Sequence, residues 1–261
     1  MVKTVFSVHS SRGGTGKTVI AVNLAMALLK KGYSVSLLDM DFRAPSLFYV
    51  FREETKNQVK FWLNDFFNGR CGIKQVLMKI SGIFSDDDNF YVGFANPSLY
   101  AIRDMMGKGA LFEVSALKKL YRLRSFLLNK LNVDYVIYDT SPGIQYSSIN
   151  AITSSDMCIV VSTSNPIDIE GTRIMLSEFY EVFEKKTVIL INKAFPEIDL
   201  PNFERNKIIS QLNTKKYEVI STIPCFCNVL RSKGDYLLIL KTPDHPFIKK
   251  IDEIANKLIN F

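Results

Sequence analysis

The chain is short of the residues that staple small extracellular folds and of the residue that most often carries protons in catalysis. Its four cysteines, Cys71, Cys158, Cys225 and Cys227, are too few and too scattered among 261 residues for a disulfide scaffold, so reduced thiols are expected. Cys225-Phe226-Cys227 offers two sulfurs, but no second Cys or His pair lies near it in sequence, which argues against a thiol metal site. Histidine occurs only at His9 and His245, and no Ser/His/Asp constellation can be assembled from that supply. No apolar run approaches the ~18 residues that cross a bilayer. The N-terminus enters an apolar, strand-like stretch at once, without the charged, apolar and cleavable segments of an export signal. These absences predict a soluble, cytoplasmic protein.

What is present suits one large core. At 47% hydrophobic and 23% charged residues, the composition predicts a single α/β domain over 1–261. Short apolar runs at Thr4 to Val8, Ser34 to Leu38, Phe90 to Phe94, Val133 to Tyr138, Met157 to Val161 and Thr187 to Ile191 alternate with helical spacing. Near-continuous apolar strands between helices imply a mostly parallel sheet covered by helices on both faces. In such sheets ligands sit beyond the carboxyl ends of the strands, so the residues after each strand carry the information.

After the first strand comes Arg12-Gly13-Gly14-Thr15-Gly16-Lys17-Thr18, followed by the helical run Val19, Val22, Leu24, Ala25, Leu28 and Leu29. A glycine-rich turn between strand and helix aims unpaired backbone N–H groups at one point, at the positive end of the helix dipole, and so holds phosphate. Lys17 adds a mobile charge for outer phosphates, and Thr18 offers a hydroxyl to magnesium. After the second strand stand Asp39 and Asp41, and after the fourth Asp139-Thr140-Ser141-Pro142-Gly143. A carboxylate ending a buried strand beside a phosphate loop faces the metal, directly or through its water, which makes Thr18, Asp39 and Asp139 the candidate magnesium side. The base can be read as well. A guanine-reading Asn-Lys-x-Asp element needs a carboxylate at its fourth position, and Asn192-Lys193 is followed there by Phe195, so ATP is expected rather than GTP.

In this tight form the loop resembles the deviant Walker A loop of the ParA/MinD ATPases, with Arg12 where that family has its signature lysine. The resemblance extends over nearly the whole chain. The Asp39-x-Asp41 pair is similar to the family's A′ motif, Tyr135 to Gly143 to its Walker B and switch II, and Phe61 to Leu77 to a small helical excursion, here about residues 52–88. It implies a P-loop NTPase fold, slow and partner-stimulated ATP hydrolysis, and an ATP-dependent homodimer. It also implies a phosphate cradle of Gly13, Gly14, Thr15, Gly16, Lys17 and Thr18, and an adenine site at Asn192 and Pro224. Lys17, Asp41 and Arg12 become the catalytic residues. Asp41 would orient the attacking water, Arg12 would reach the neighbouring subunit's phosphates, and Gly13 would keep the dimer approach free of side chains.

Net charge is +7, and basic pairs at 30–31, 118–119, 185–186, 215–216 and 249–250 favour a polyanion as partner. In the expected helix Glu113 to Lys130, Lys118, Arg122, Ser125 and Asn129 share a face opposite Leu117, Leu120, Tyr121 and Leu128. That pattern also describes an ordinary solvated helix face, which is the simpler reading. The last segment sets Phe247, Ile251, Ile254, Ala255 and Leu258 on one side, as a membrane-seeking helix or, more simply, as the last helix covering the sheet. The tail has no tyrosine cluster and no Cys-x-x-Cys, which sets aside the similar bacterial tyrosine kinases and Mrp-type carriers. The expectation is a switch for spatial positioning, foremost DNA partitioning through non-specific, nucleoid-associated DNA binding, stimulated by a partner of ParB or MinE type. The alternatives are membrane or appendage positioning in the manner of MinD, and an ATP-dependent scaffold with negligible turnover.

Overall fold

A strand buried on both faces must alternate its side chains between two cores, and the central strands here do so. In the computed structural model, Phe6 and Val8 point into one core and Val5 into the other; Tyr135 and Ile137 alternate likewise with Val136 and Tyr138. The structure describes residues 3–55, 58–195, 210–212, 216–230 and 236–261.

Among the described residues eight strands form one sheet in the order β3-β4-β2-β5-β1-β6-β7-β8. They are β1 Thr4–His9, β2 Val35–Met40, β3 Leu77–Ile80, β4 Phe90–Gly93, β5 Tyr135–Thr140, β6 Met157–Thr163, β7 Lys186–Ala194 and β8 Glu218–Pro224. All neighbours run parallel except β3, which pairs antiparallel with β4 at one edge. The helices Lys17–Lys30 and Pro246–Ile259 cover one face; Ala110–Asn129, Tyr146–Ser154 and Pro166–Met175 cover the other.

The six expected strands are present within a few residues of their expected ends, and two more were not anticipated. β3 is short, half-exposed and follows the helix Ile73–Val76 directly, so nothing in sequence separates it from the excursion. β8 is an edge strand of mixed polarity, and its alternation is too weak to stand out. The helix expected at Glu113 to Lys130 spans Ala110–Asn129, and it is rotated from the expected face. Ala116, Leu120, Leu123 and Leu127 are buried, whereas Tyr121 is 42% exposed. Lys118, Arg122, Ser125 and Asn129 are exposed, as the pattern predicts; Lys215 of the basic pairs lies outside the described residues.

The last helix settles its two readings. Phe247, Ile248, Ile251, Ile254, Ala255 and Leu258 are buried in the core shared with Lys17–Lys30 and β8. Its apolar face is therefore committed to the sheet. Among the described residues no helix is long and apolar enough to cross a membrane. Ile254→Ala is expected to lower unfolding stability by about 2–5 kcal/mol in urea titration, the cost of a large-to-small change in a closed core. A change below ~0.5 kcal/mol would show instead that this face is free to leave the sheet.

Candidate functional site

Gly14 and Gly16 take φ of +82° and +96°, the left-handed region that side chains avoid, and so let the chain turn from β1 into the helix Lys17–Lys30. At Gly16 a Cβ would also collide with Asn192 Nδ2. The first turn of that helix holds no acidic residue, which leaves its positive end open to an anion.

The other strand ends close around this turn. Asn192, near the end of β7, donates from Nδ2 to the Thr15 carbonyl at 2.8 Å, and Lys193 Nζ donates to the Gly14 carbonyl at 2.6 Å. Lys17 is buried and donates to Ser10 Oγ at 3.0 Å; burial lowers its pKa, while Asp139 and Asp41 pull it back up. A cleft of about 530 Å³ results, lined by the loop glycines, Lys17, Thr18, Asp41, Asn192, Pro224 and the aromatic side chains Phe226 and Tyr236.

Strand alternation sends Asp39 and Asp139 to the same face as Lys17, and register pairs them directly across β2 and β5. Both are buried, and they differ in their partners. Asp39 accepts the backbone N–H groups of Asp41, Ser46 and Leu47 at 3.1–3.2 Å. Its oxygens thus hold the loop after β2. Its pKa is raised well above the carboxylate range, first by burial and then by Asp139. Among the described residues Asp139 has no hydrogen-bond partner of normal geometry on either oxygen. Burial lifts its pKa to about 7, offset only in part by the Thr18 hydroxyl and Lys17. A buried carboxylate left open beside a threonine hydroxyl suits a hard, oxygen-seeking cation such as magnesium.

Asp41 is half-buried at the cleft. Its Oδ1 accepts the Arg43 and Ala44 N–H groups at 3.2 and 3.1 Å and the Ser141 hydroxyl at 2.7 Å. Arg12 is exposed, and no side-chain hydrogen bond holds it among the described residues. Ser10 and Ser141 carry no signal of their own in the sequence, and Lys193 stands out there only as the neighbour of Asn192 in the base-side element. Ser10 and Ser141 adjoin the motifs, but a lone serine carries no spacing signal, and Lys193 acquires its role only because β7 ends at the phosphate turn.

A glycine-rich phosphate turn after the central strand of a parallel sheet, with a buried lysine and carboxylates closing on it from neighbouring strands, defines a P-loop nucleoside triphosphatase. A family described as an AAA domain matches residues 3–194. Septum site-determining protein MinD of Thermotoga maritima is 28% identical across 97% of this chain and 87% of its own length. MinD of Pyrococcus horikoshii complexed with Mg-ADP superposes with a TM-score of 0.75 at 19% identity, over 99% of this chain and 96% of that one. A putative plasmid partition protein of Borrelia burgdorferi bound to AMPPNP reaches 0.76 at 19%, over 100% and 99%. The chain belongs to the ParA/MinD family of P-loop ATPases.

The raised pKa of Asp139 has a sign that can be tested. A carboxyl at about 7 in the native state and 3.8 unfolded binds its proton more tightly when folded. Its contribution to stability is therefore full below pH ~4 and lost as pH rises to ~7. Without nucleotide or metal, Asp139→Asn should match the parent protein near pH 4 and exceed it by a margin that grows to a few kcal/mol at pH 7. Urea midpoints across that range check this; His9, common to both chains, cancels, whereas Asp39 and Lys17 both feel the Asp139 charge, so the margin reads the three coupled groups together.

Proposed function

We propose that this protein is a dimerising ATPase switch that positions a cellular structure, binding magnesium–ATP as two copies meet and resetting on hydrolysis. The convergence of Lys17, Thr18 and the loop carboxylate Asp41 on one cleft, with the buried carboxylate Asp139 beside Thr18 and Lys17, supports the reading most. The backbone cradle of residues 13–18 takes the phosphates, and Lys17 takes their outer charge. Thr18 and Asp139 hold the magnesium, which when bound neutralises charge on the phosphoryl oxygens. Asp39 fixes the loop that presents Asp41, and Asp41 orients the attacking water rather than acting as a strong base. Asn192 and Pro224 flank the adenine.

Gly13 supports the dimer. Among the described residues a Cβ there would meet only Pro142 Cγ, at 3.9 Å, so the surface at Gly13 is open to the close approach that a dimer needs, and the exposed Arg12 beside it would reach a neighbour's phosphates. An activating partner of ParB or MinE type then sets the otherwise slow turnover.

DNA is the surface the geometry favours. Lys118 and Arg122 stand exposed beside Ser125 and Asn129 on Ala110–Asn129, in a chain of net charge +7, whereas the terminal amphipathic helix is spent on the core. Membrane or appendage positioning is the second reading, favoured by the 28% identity to a MinD.

Asp41→Ala should bind ATP, form a dimer on size exclusion and release phosphate at least about 100-fold more slowly. If that variant stays monomeric with ATP or hydrolyses normally, the role belongs elsewhere. Lys118→Glu with Arg122→Glu should weaken ATP-dependent binding to duplex DNA of any sequence and reduce the log–log salt slope by about 2. Binding to anionic liposomes that exceeds DNA binding at matched ionic strength would transfer the reading to the membrane.

A further inference from the structure

His9 is the last residue of β1, directly before the phosphate loop, and it is completely buried. A buried histidine needs partners for both ring nitrogens, and both of its partners belong to elements outside the loop. Nε2 lies 3.0 Å from the Gly143 carbonyl, and Nδ1 meets the Tyr180 hydroxyl. A carbonyl only accepts, so Nε2 carries the hydrogen. The ring is neutral at physiological pH, because burial lowers its pKa to about 4. Nδ1 is therefore an acceptor, and Tyr180 donates to it.

Gly143 sits in the loop after β5 at φ +70°. Its N–H donates to the Ser10 carbonyl at 2.9 Å while its C=O receives the His9 N–H, so both of its backbone groups are tied to the stretch that opens the phosphate loop. Two residues earlier in the same loop, Ser141 donates to Asp41. On the far side, Tyr180 ends the π-helical turn Leu176–Tyr180, which continues the helix Pro166–Met175. A π turn is wider than an α turn and re-aims the residue that closes it, here into the space beneath β1. Tyr180 is itself held in that space, 1% exposed, and burial with the Cys158 thiol nearby raises the pKa of its phenol well above the usual range.

We propose that His9 is a positioning residue for hydrolysis: its Nε2–H holds the Gly143 peptide, and through that loop Ser141 and Asp41, while Tyr180 fixes the tautomer that makes this possible. The chain of contacts runs from helix Pro166–Met175 through Tyr180, His9 and Gly143 to the water-orienting carboxylate. The inference rests on the ATPase reading above and adds to it a second support for Asp41, independent of the loop after β2.

Three substitutions separate positioning from simple packing. His9→Phe keeps the ring and removes the donor; turnover at saturating ATP should fall about 10- to 100-fold while ATP affinity stays within about threefold. His9→Gln places an amide N–H where Nε2 was and should recover most of that loss. Tyr180→Phe frees the tautomer and should give a smaller loss of the same kind. Normal turnover in folded His9→Phe, or no recovery in His9→Gln, overturns the proposal. So does a loss of ATP affinity in parallel with turnover.

A measurement on the unsubstituted chain keeps the test open should His9→Phe not fold. With two histidines in the chain, nitrogen-15 NMR and a His245→Gln variant assign the His9 ring directly. A neutral Nε2–H tautomer at pH 7 that persists to pH 5.5 is expected, and an Nδ1–H or doubly protonated ring overturns the proposal. Absence of ATP turnover in the unsubstituted protein would overturn both this inference and the functional reading. Turnover indifferent to His9→Phe overturns this inference alone.

Discussion

Parallel, in-register pairing of β2 with β5 sets Asp39 directly beside Asp139 under the phosphate loop, and most of the site follows from how these two buried carboxylates are accommodated. Two like charges cannot share a buried position without compensation. The fold satisfies one and leaves the other open. Asp39 gathers three backbone N–H groups and so orders the loop that carries Asp41. Asp139 gathers none, which makes it costly in the empty protein and available to a cation.

Side chains and carbonyls then tie the loops to one another. Lys17 leans on Ser10, Asn192 and Lys193 cap carbonyls of the phosphate turn, Ser141 bonds Asp41, and His9 bonds Gly143. All but the Lys17–Ser10 contact join residues at the ends of different strands, so the geometry of each loop depends on its neighbours. Fixed dipoles and donors already in place are what phosphoryl transfer asks of a protein, since the chemistry depends on positioning and charge more than on proton abstraction.

Similar amphipathic patterns have different fates on this surface. The helix Pro246–Ile259 closes its apolar face against Lys17–Lys30 and β8, whereas Ala110–Asn129 buries one side and leaves Lys118 and Arg122 in solvent. A periodicity says that a helix has an apolar stripe; only its neighbours say whether the stripe is already used. The distinction bears on the choice between nucleic acid and lipid as the surface on which such a switch works.

The phosphate turn, the alternation of strands and helices and the candidate carboxylates could all be read from the chain, because they rest on local rules: glycine's access to positive φ, apolar runs of strand length, and acidic residues at strand ends. The last helix declared its apolar stripe by spacing, but only its packing showed that the stripe is buried. The edge strands β3 and β8 were not legible, since half-exposed strands carry little periodic signal, and the rotation of Ala110–Asn129 depended on what it packs against. Asp39 and Asp139 look alike in sequence and have opposite conditions in the fold, one with three backbone donors and one, among the described residues, with no backbone donor. His9 and Tyr180, 171 residues apart, meet only because β1 runs beside β6 and a π turn aims the tyrosine beneath it. Sequence determines which groups stand at the strand ends, while tertiary structure decides which of them are satisfied, because hydrogen-bond partners and desolvation depend on residues far away along the chain.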